Sequence, residues 1–245
     1  MATNGSQPDP QAIARFEEAC DLSDQAFEAQ QDMAEDEVVE GLFRRAVEGF
    51  DEALRLGLAD DEAITAFAYR GYAQFELGAY DAAIADLNEA ILRDKEFATA
   101  YWYRGLVRHY GLEVPQQAEP DYDRALALYE EDPDYCDLDD APAVYLDRAQ
   151  ALREMGRWDD ASASAARAVA LEPDNAEALY MLAVAEANCQ RLAEAATHLQ
   201  EAIRREAELR EEAEEDEDLA PLRADAALWS QAMAQRRGRR GGERG

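Results

Sequence analysis

Shifted by 34 residues, the chain falls on itself twice. Phe67-Ala-Tyr-Arg70-Gly71 lands on Tyr101-Trp-Tyr-Arg104-Gly105, and further along Tyr145 meets Leu179, Ala149 meets Ala183, Ala161 meets Ala195 and Val169 meets Ile203. A copy this short cannot bury its own apolar face, so copies must stack on one another, and a stacked array reaches 245 residues without needing one central core. Within a copy the spacing is helical. From Ile64, the run Phe67, Gly71, Ala73 and Phe75 stops at Gly78, and Tyr80, Ala83, Ile84, Leu87, Ala90 and Ile91 then recur at three- and four-residue steps. Gly78 suits a turn because glycine enters the left-handed region without a side-chain clash. Gly71, Ala83 and Ala90 let two helices approach closely, while Phe67, Tyr80 and Leu87 fill the flanks.

The pattern Phe67, Gly71, Gly78-Ala79-Tyr80, Ala83-Ile84, Leu87 and Ala90-Ile91 returns as Tyr145, Ala149, Gly156-Arg157-Trp158, Ala161, Ala165, Ala168-Val169 and Pro173. It resembles the tetratricopeptide repeat across residues 40–207. The resemblance implies an all-α fold, an α-solenoid of antiparallel helix pairs in a superhelix, with the first helix of each pair lining the concave side. It also implies a non-catalytic scaffold or adaptor that holds a segment of another protein.

On this frame residues 1–9 read as a disordered N-terminus and 10–58 as a divergent helical hairpin. Asp9 caps its first helix, Pro10 opens it, and 32–37 form an acidic connector. Residues 59–207 hold the repeats: 64–97, 98–133, 142–175 and 176–207. The second of these carries eight extra residues, since Tyr80 to Tyr122 spans 42; Pro115 and Pro120 mark 111–120 as an inserted loop. Asp174 or Asn175 can cap the helix after Pro173, and Gln190 stands where the last repeat expects its turn glycine. Residues 208–218 read as an acidic linker and 219–235 as a capping helix with Leu222, Ala226 and Trp229 inward. Residues 236–245 read as a disordered Arg/Gly tail.

Composition removes several functions. The net charge is −31, and Lys95 is the only lysine against 23 arginines. Five Arg and one Glu leave +4 on residues 236–245 and −35 on the rest, so the body repels phosphates and anionic lipid. Protein partners are expected, with neither nucleic acid nor membrane as main ligand. The alternative is a regulator or accessory subunit whose acidic surface binds a basic protein, or whose Arg-rich tail contacts nucleic acid. Cys20, Cys136 and Cys189 are odd in number and widely spaced, and no secretory signal opens the chain, which fits a cytoplasmic protein. His109 and His198 lie in different repeats without a nucleophile at any familiar spacing. The acidic stretch 132–140 lacks the glycine and final glutamate of a calcium loop. No catalytic residue, metal or cofactor is expected.

The expected binding site lies on the first helix of each pair, at positions the core stripe does not use. These are Tyr69, Tyr72, Phe75, Trp102, Tyr103, Leu106, His109, Tyr110, Tyr180 and Met181. Rings with polar tips are typical anchors for a protein segment; the competing expectation is that they pack on the long N-terminal helix. Family members that clamp a peptide carboxylate use Lys, Asn and Arg here. The matching places hold Ala68, Tyr72, Trp102, Tyr103, Leu106, Asp147 and Met181, so no such clamp is expected. Arg70 and Arg104, beside the small residue of each repeat, are expected to pair with helix-borne acids such as Asp86.

Overall fold

A computed structural model describes residues 9–133, 136, 138 and 140–234. The Arg/Gly tail at 236–245, residues 1–8 and part of the acidic stretch after Pro133 lie outside the described residues. The described residues contain helices and turns and no strand. They form two compact units that divide at Asp139/Asp140.

The first unit is three antiparallel hairpins. Helix α1 (Pro10–Gln31) pairs with α2 (Asp36–Leu56), α3 (Asp60–Glu76) with α4 (Tyr80–Arg93), and α5 (Ala98–Leu106) with α6 (Pro115–Glu131). Asp9 caps α1 by accepting the Gln11 N–H at 2.8 Å, with Pro10 in the first turn. Gly78 turns α3 into α4 at φ 73°. The seams are built from small residues: Ala19, Ala46, Ala53, Ala66, Ala83 and Ala90 are fully buried. Phe43, Phe50, Leu87 and Tyr122, also sealed, supply the bulk between them. A Cβ on Gly71 would stand 2.8 Å from Leu87 Cγ, which explains why a glycine sits there.

The expected loop at 111–120 is absent, and the return helix of the third hairpin is longer instead, 17 residues against 14 in α4. After α5 the chain makes a π turn over Val107–Gly111, closed by Leu112 N–H donating to Val107 O at 2.9 Å. Only residues 112–114 connect, and α6 begins at Pro115. A proline at the first helical position gives up a donor that has no helical acceptor, so Pro115 starts a helix where the sequence suggests a break. Pro120 lies inside α6 on its solvent side. The π turn absorbs an extra residue without leaving the helix. Gly111 ends it flat against Tyr80, where a Cβ would lie 2.8 Å from the ring.

The second unit holds two hairpins and a closing segment. Helix α7 (Ala141–Glu154) pairs with α8 (Trp158–Leu171), and α9 (Ala176–Asn188) with α10 (Leu192–Arg205). Asp140 and Asn175 cap α7 and α9 by accepting the Ala143 and Ala178 N–H groups. Residues 208–218, expected to be a linker, contain α11 (Leu209–Glu215), and a 3-10 turn covers Glu217–Leu219. The expected single capping helix is two, α12 (Ala220–Ala224) and α13 (Ala226–Ala232). Asp225 leaves helical geometry between them, and its carboxylate accepts from the Ala227 and Leu228 N–H groups at 3.1 Å. The break resets the stripe: Leu222 and Ala232 are buried, Trp229 packs on the same core, and Ala226 faces solvent.

Gln190 takes φ 62°, matching Gly78 at 73° and Gly156 at 70°. A side chain there is strained, which glycine relieves at some cost in unfolded-chain entropy. Gln190→Gly is therefore expected to stabilise the second unit by about 0.5–1 kcal/mol, read as a higher melting temperature. An unchanged or lower value would mean that the Gln190 side chain offsets its backbone strain.

Candidate functional site

Helices α1, α3 and α5, the first of each hairpin in the first unit, contact one another in turn and carry a continuous line of rings. Phe27 of α1 stacks on Tyr72 of α3, centroids 4.8 Å apart, and Tyr72 meets Tyr103 of α5 at 4.7 Å. Trp102 extends the line from Tyr103 at 5.4 Å, and Phe75 flanks Tyr72 at 5.9 Å. Tyr69 joins Tyr103 at 6.3 Å and reaches back to Phe50 of α2 at 6.5 Å. Tyr69, Tyr72, Phe75, Trp102 and Tyr103 are half-buried, so the rings are neither sealed nor free-standing. Tyr110, at the π turn, is 47% exposed and stacks on His109 at 4.1 Å. Of the two sequence expectations for these rings, packing on the N-terminal helix holds for Tyr72, which stacks on Phe27.

Four of the ten expected positions are enclosed. Leu106 and His109 are buried within the third hairpin, where His109 Nδ1 lies 3.3 Å from the Tyr122 hydroxyl. Tyr180 and Met181 are 3% and 7% exposed, because α9 is covered on nearly every side. The closing segment takes the face that the repeat pattern leaves open there: the Tyr180 hydroxyl donates to Asp216 at 2.9 Å, and Arg153 of α7 donates to Asp216 at 2.8 Å and to Asp218 at 2.7 Å. Burial and the neighbouring Asp216 carboxylate push the Tyr180 phenol up, which keeps it a donor. Phe27 is the residue that the sequence does not point to. It lies in the longest hairpin, where the 34-residue register does not reach.

Between the helices the arginines behave as expected. Arg70 forks onto Asp86 through Nε and Nη2, at 2.7 and 2.6 Å, and its third nitrogen pairs with Asp51 of α2. Arg104 forks onto Asp121 at 3.0 and 2.6 Å and reaches Asn88 of α4 at 2.5 Å. Arg148 donates to Ser164, sixteen residues on, as Asp86 is from Arg70. Each arginine thus ties its own return helix, and in the first two cases the preceding hairpin as well.

Two titratable groups, His198 and Cys20, are drawn into the packing. His198 pairs with the buried Glu186 at 2.7 Å; that bond raises its pKa, and partial burial opposes the rise. Burial, helped by Asp24, Asp21 and Glu17, pushes the Cys20 thiol up to about 12, where it is a poor nucleophile. Among the described residues no helix is long and apolar enough to cross a membrane.

A family model described as a tetratricopeptide repeat matches residues 32–98 and 146–208, more than half of the chain. The unmatched stretch between them contains the lengthened third hairpin. Among solved structures, PilW, a widely conserved type IV pilus biogenesis factor, aligns over 87% of this chain and 90% of its own at 18% identity and a TM-score of 0.59. YrrB, described as a TPR protein with an unusual peptide-binding site, aligns over 82% and 94% at 23% identity and 0.54. TTC0263, a thermophilic TPR protein from Thermus thermophilus, aligns over 87% and 98% at 21% identity and 0.53. These likenesses concern the fold. No curated protein sequence matches the chain. With its 34-residue period, its glycine-turned helix pairs and the family model spanning both units, the chain belongs to the tetratricopeptide repeat family.

Proposed function

We propose that the chain is a non-catalytic scaffold that holds a segment of a partner protein against the ring-lined face of α1, α3 and α5. The observation that carries this is the line Phe27–Tyr72–Tyr103–Trp102, which crosses three consecutive first helices with its rings half-buried rather than sealed in the core. A helix face meant only for water would hold Glu, Gln or Arg. Rings with hydroxyl or indole tips give large contact area at little entropic cost and are enriched where proteins bind. The peptide-binding site named for YrrB supports the same use of the fold in a relative. The contacts we assign are Tyr69, Tyr72, Phe75, Trp102, Tyr103 and Tyr110, with Phe27 added and the four enclosed residues removed. The widely spaced cysteines support a reducing compartment such as the cytoplasm.

Selection of peptides from a displayed library on the immobilised chain tests this reading. Selected peptides should lose binding by about thirtyfold or more on Trp102→Ala, the loss typical of a central aromatic anchor, while the melting temperature moves by only a few degrees. Peptides whose affinity ignores Trp102→Ala would sink the proposal. Affinity that falls steeply with salt would instead assign binding to the acidic surface.

A further inference from the structure

The second unit closes with more chemistry than closure needs. Leu219, Leu222 and Ala232 are fully buried and seal its apolar end against α10. Just before them, two aspartates are held by side chains of α7 and α9. Arg153 Nη2 donates to Asp216 at 2.8 Å and Arg153 Nε to Asp218 at 2.7 Å. The Tyr180 hydroxyl donates to the second Asp216 oxygen at 2.9 Å, and the Asn188 amide donates to the main-chain oxygen of Asp218 at 2.8 Å. From the other side Arg223 donates to the Asp216 main-chain oxygen at 2.6 Å. Seven of the eight residues 211–218 are acidic, yet Glu211, Glu212, Glu214, Glu215 and Glu217 stay exposed and only the two aspartates turn inward. The face thus selects two carboxylates two residues apart together with one main-chain carbonyl. A charged fork plus a backbone contact is how folded domains read an acidic peptide.

We propose that the face formed by Arg153, Tyr180 and Asn188 is a docking site for an acidic segment of a partner protein bearing two aspartates two residues apart, and that the chain's own Asp216 and Asp218 occupy it in cis. This site is independent of the ring-lined face of the first unit. The crowded carboxylates of residues 211–218 repel one another, which weakens the internal segment relative to a partner segment with fewer acids around the same two aspartates.

The test uses the full chain and a fluorescein-labelled peptide with the sequence of residues 214–220. In fluorescence anisotropy, Asp216→Asn combined with Asp218→Asn should bind the peptide about tenfold or more tighter than the wild type, because charge-assisted bonds of the internal segment are weakened. Adding Arg153→Gln should remove the gain. Leu219 and Leu222 are untouched, and unchanged far-UV circular dichroism verifies the fold. In the wild type, saturating unlabelled peptide should speed hydrogen exchange at the amides of residues 216–219. Equal affinity of wild type and double variant, a gain that survives Arg153→Gln, or exchange indifferent to saturating peptide would overturn the proposal and leave the segment a fixed cap.

Discussion

Asp121→Ala should cost about 3–5 kcal/mol of stability, as much as truncating a sealed aromatic of the core. Its carboxylate is 3% exposed and receives both Nε and Nη2 of Arg104 and an Nη1 of Arg108 at 2.5 Å. Removing it strands two guanidinium groups whose side chains are only 15% and 25% exposed. Urea unfolding followed by circular dichroism measures the loss. Glu40→Ala gives the contrast: its pair with Arg44 is exposed on both sides and should cost well under 1 kcal/mol. Comparable losses for the two would show that burial does not set the weight of these pairs.

Gly105→Ala should be nearly as damaging, at about 2–4 kcal/mol, although it adds one methyl group to a helix. The new Cβ would stand 2.4 Å from the ring of Tyr122, a side chain with no exposure and no room to move. Helix propensity alone favours alanine over glycine by about 1 kcal/mol, so the expected loss sets packing against propensity and says that packing wins. The same denaturant titration reads the outcome; Gly41→Ala in α2, with nothing within 4 Å, should instead stabilise slightly.

What is legible in the sequence is what neighbours in the chain decide. The helix starts at Asp9 and Asn175, the left-handed turns at Gly78, Gly156 and Gln190, and the Arg70–Asp86 pair all follow from spacings of a few to sixteen residues. The third hairpin is not legible in this way, because a proline speaks both for a break and for a helix start, and Pro115 and Pro120 look like breaks. Met181 is enclosed by Ala149 and Ala165 of the hairpin before it, whereas Tyr180 falls on an open face of the repeat pattern because its cover comes from more than thirty residues away. That cover belongs to an acidic run whose composition suggests only a solvated linker. Phe27 escapes because a repeat register cannot locate a partner in a hairpin of another length. The ring line is therefore a tertiary feature, although all but one of its members stand out as a local surplus of aromatics.

The forked arginines have an evolutionary corollary. Arg70 and Arg104 each bind the return helix of their own hairpin and an acceptor on the hairpin before it, Asp51 in one case and Asn88 in the other. Only a planar cation with several donors can serve both sides at once, which a lysine cannot. A hairpin copied or deleted as a block carries its donor and its acceptor together. A new junction then still sets an arginine opposite an acceptor, Arg104 opposite the place of Asp51 were the second hairpin lost. Such a gene can gain or lose modules by duplication and excision without inventing new ion pairs, and array length becomes free to drift while the joints stay the same.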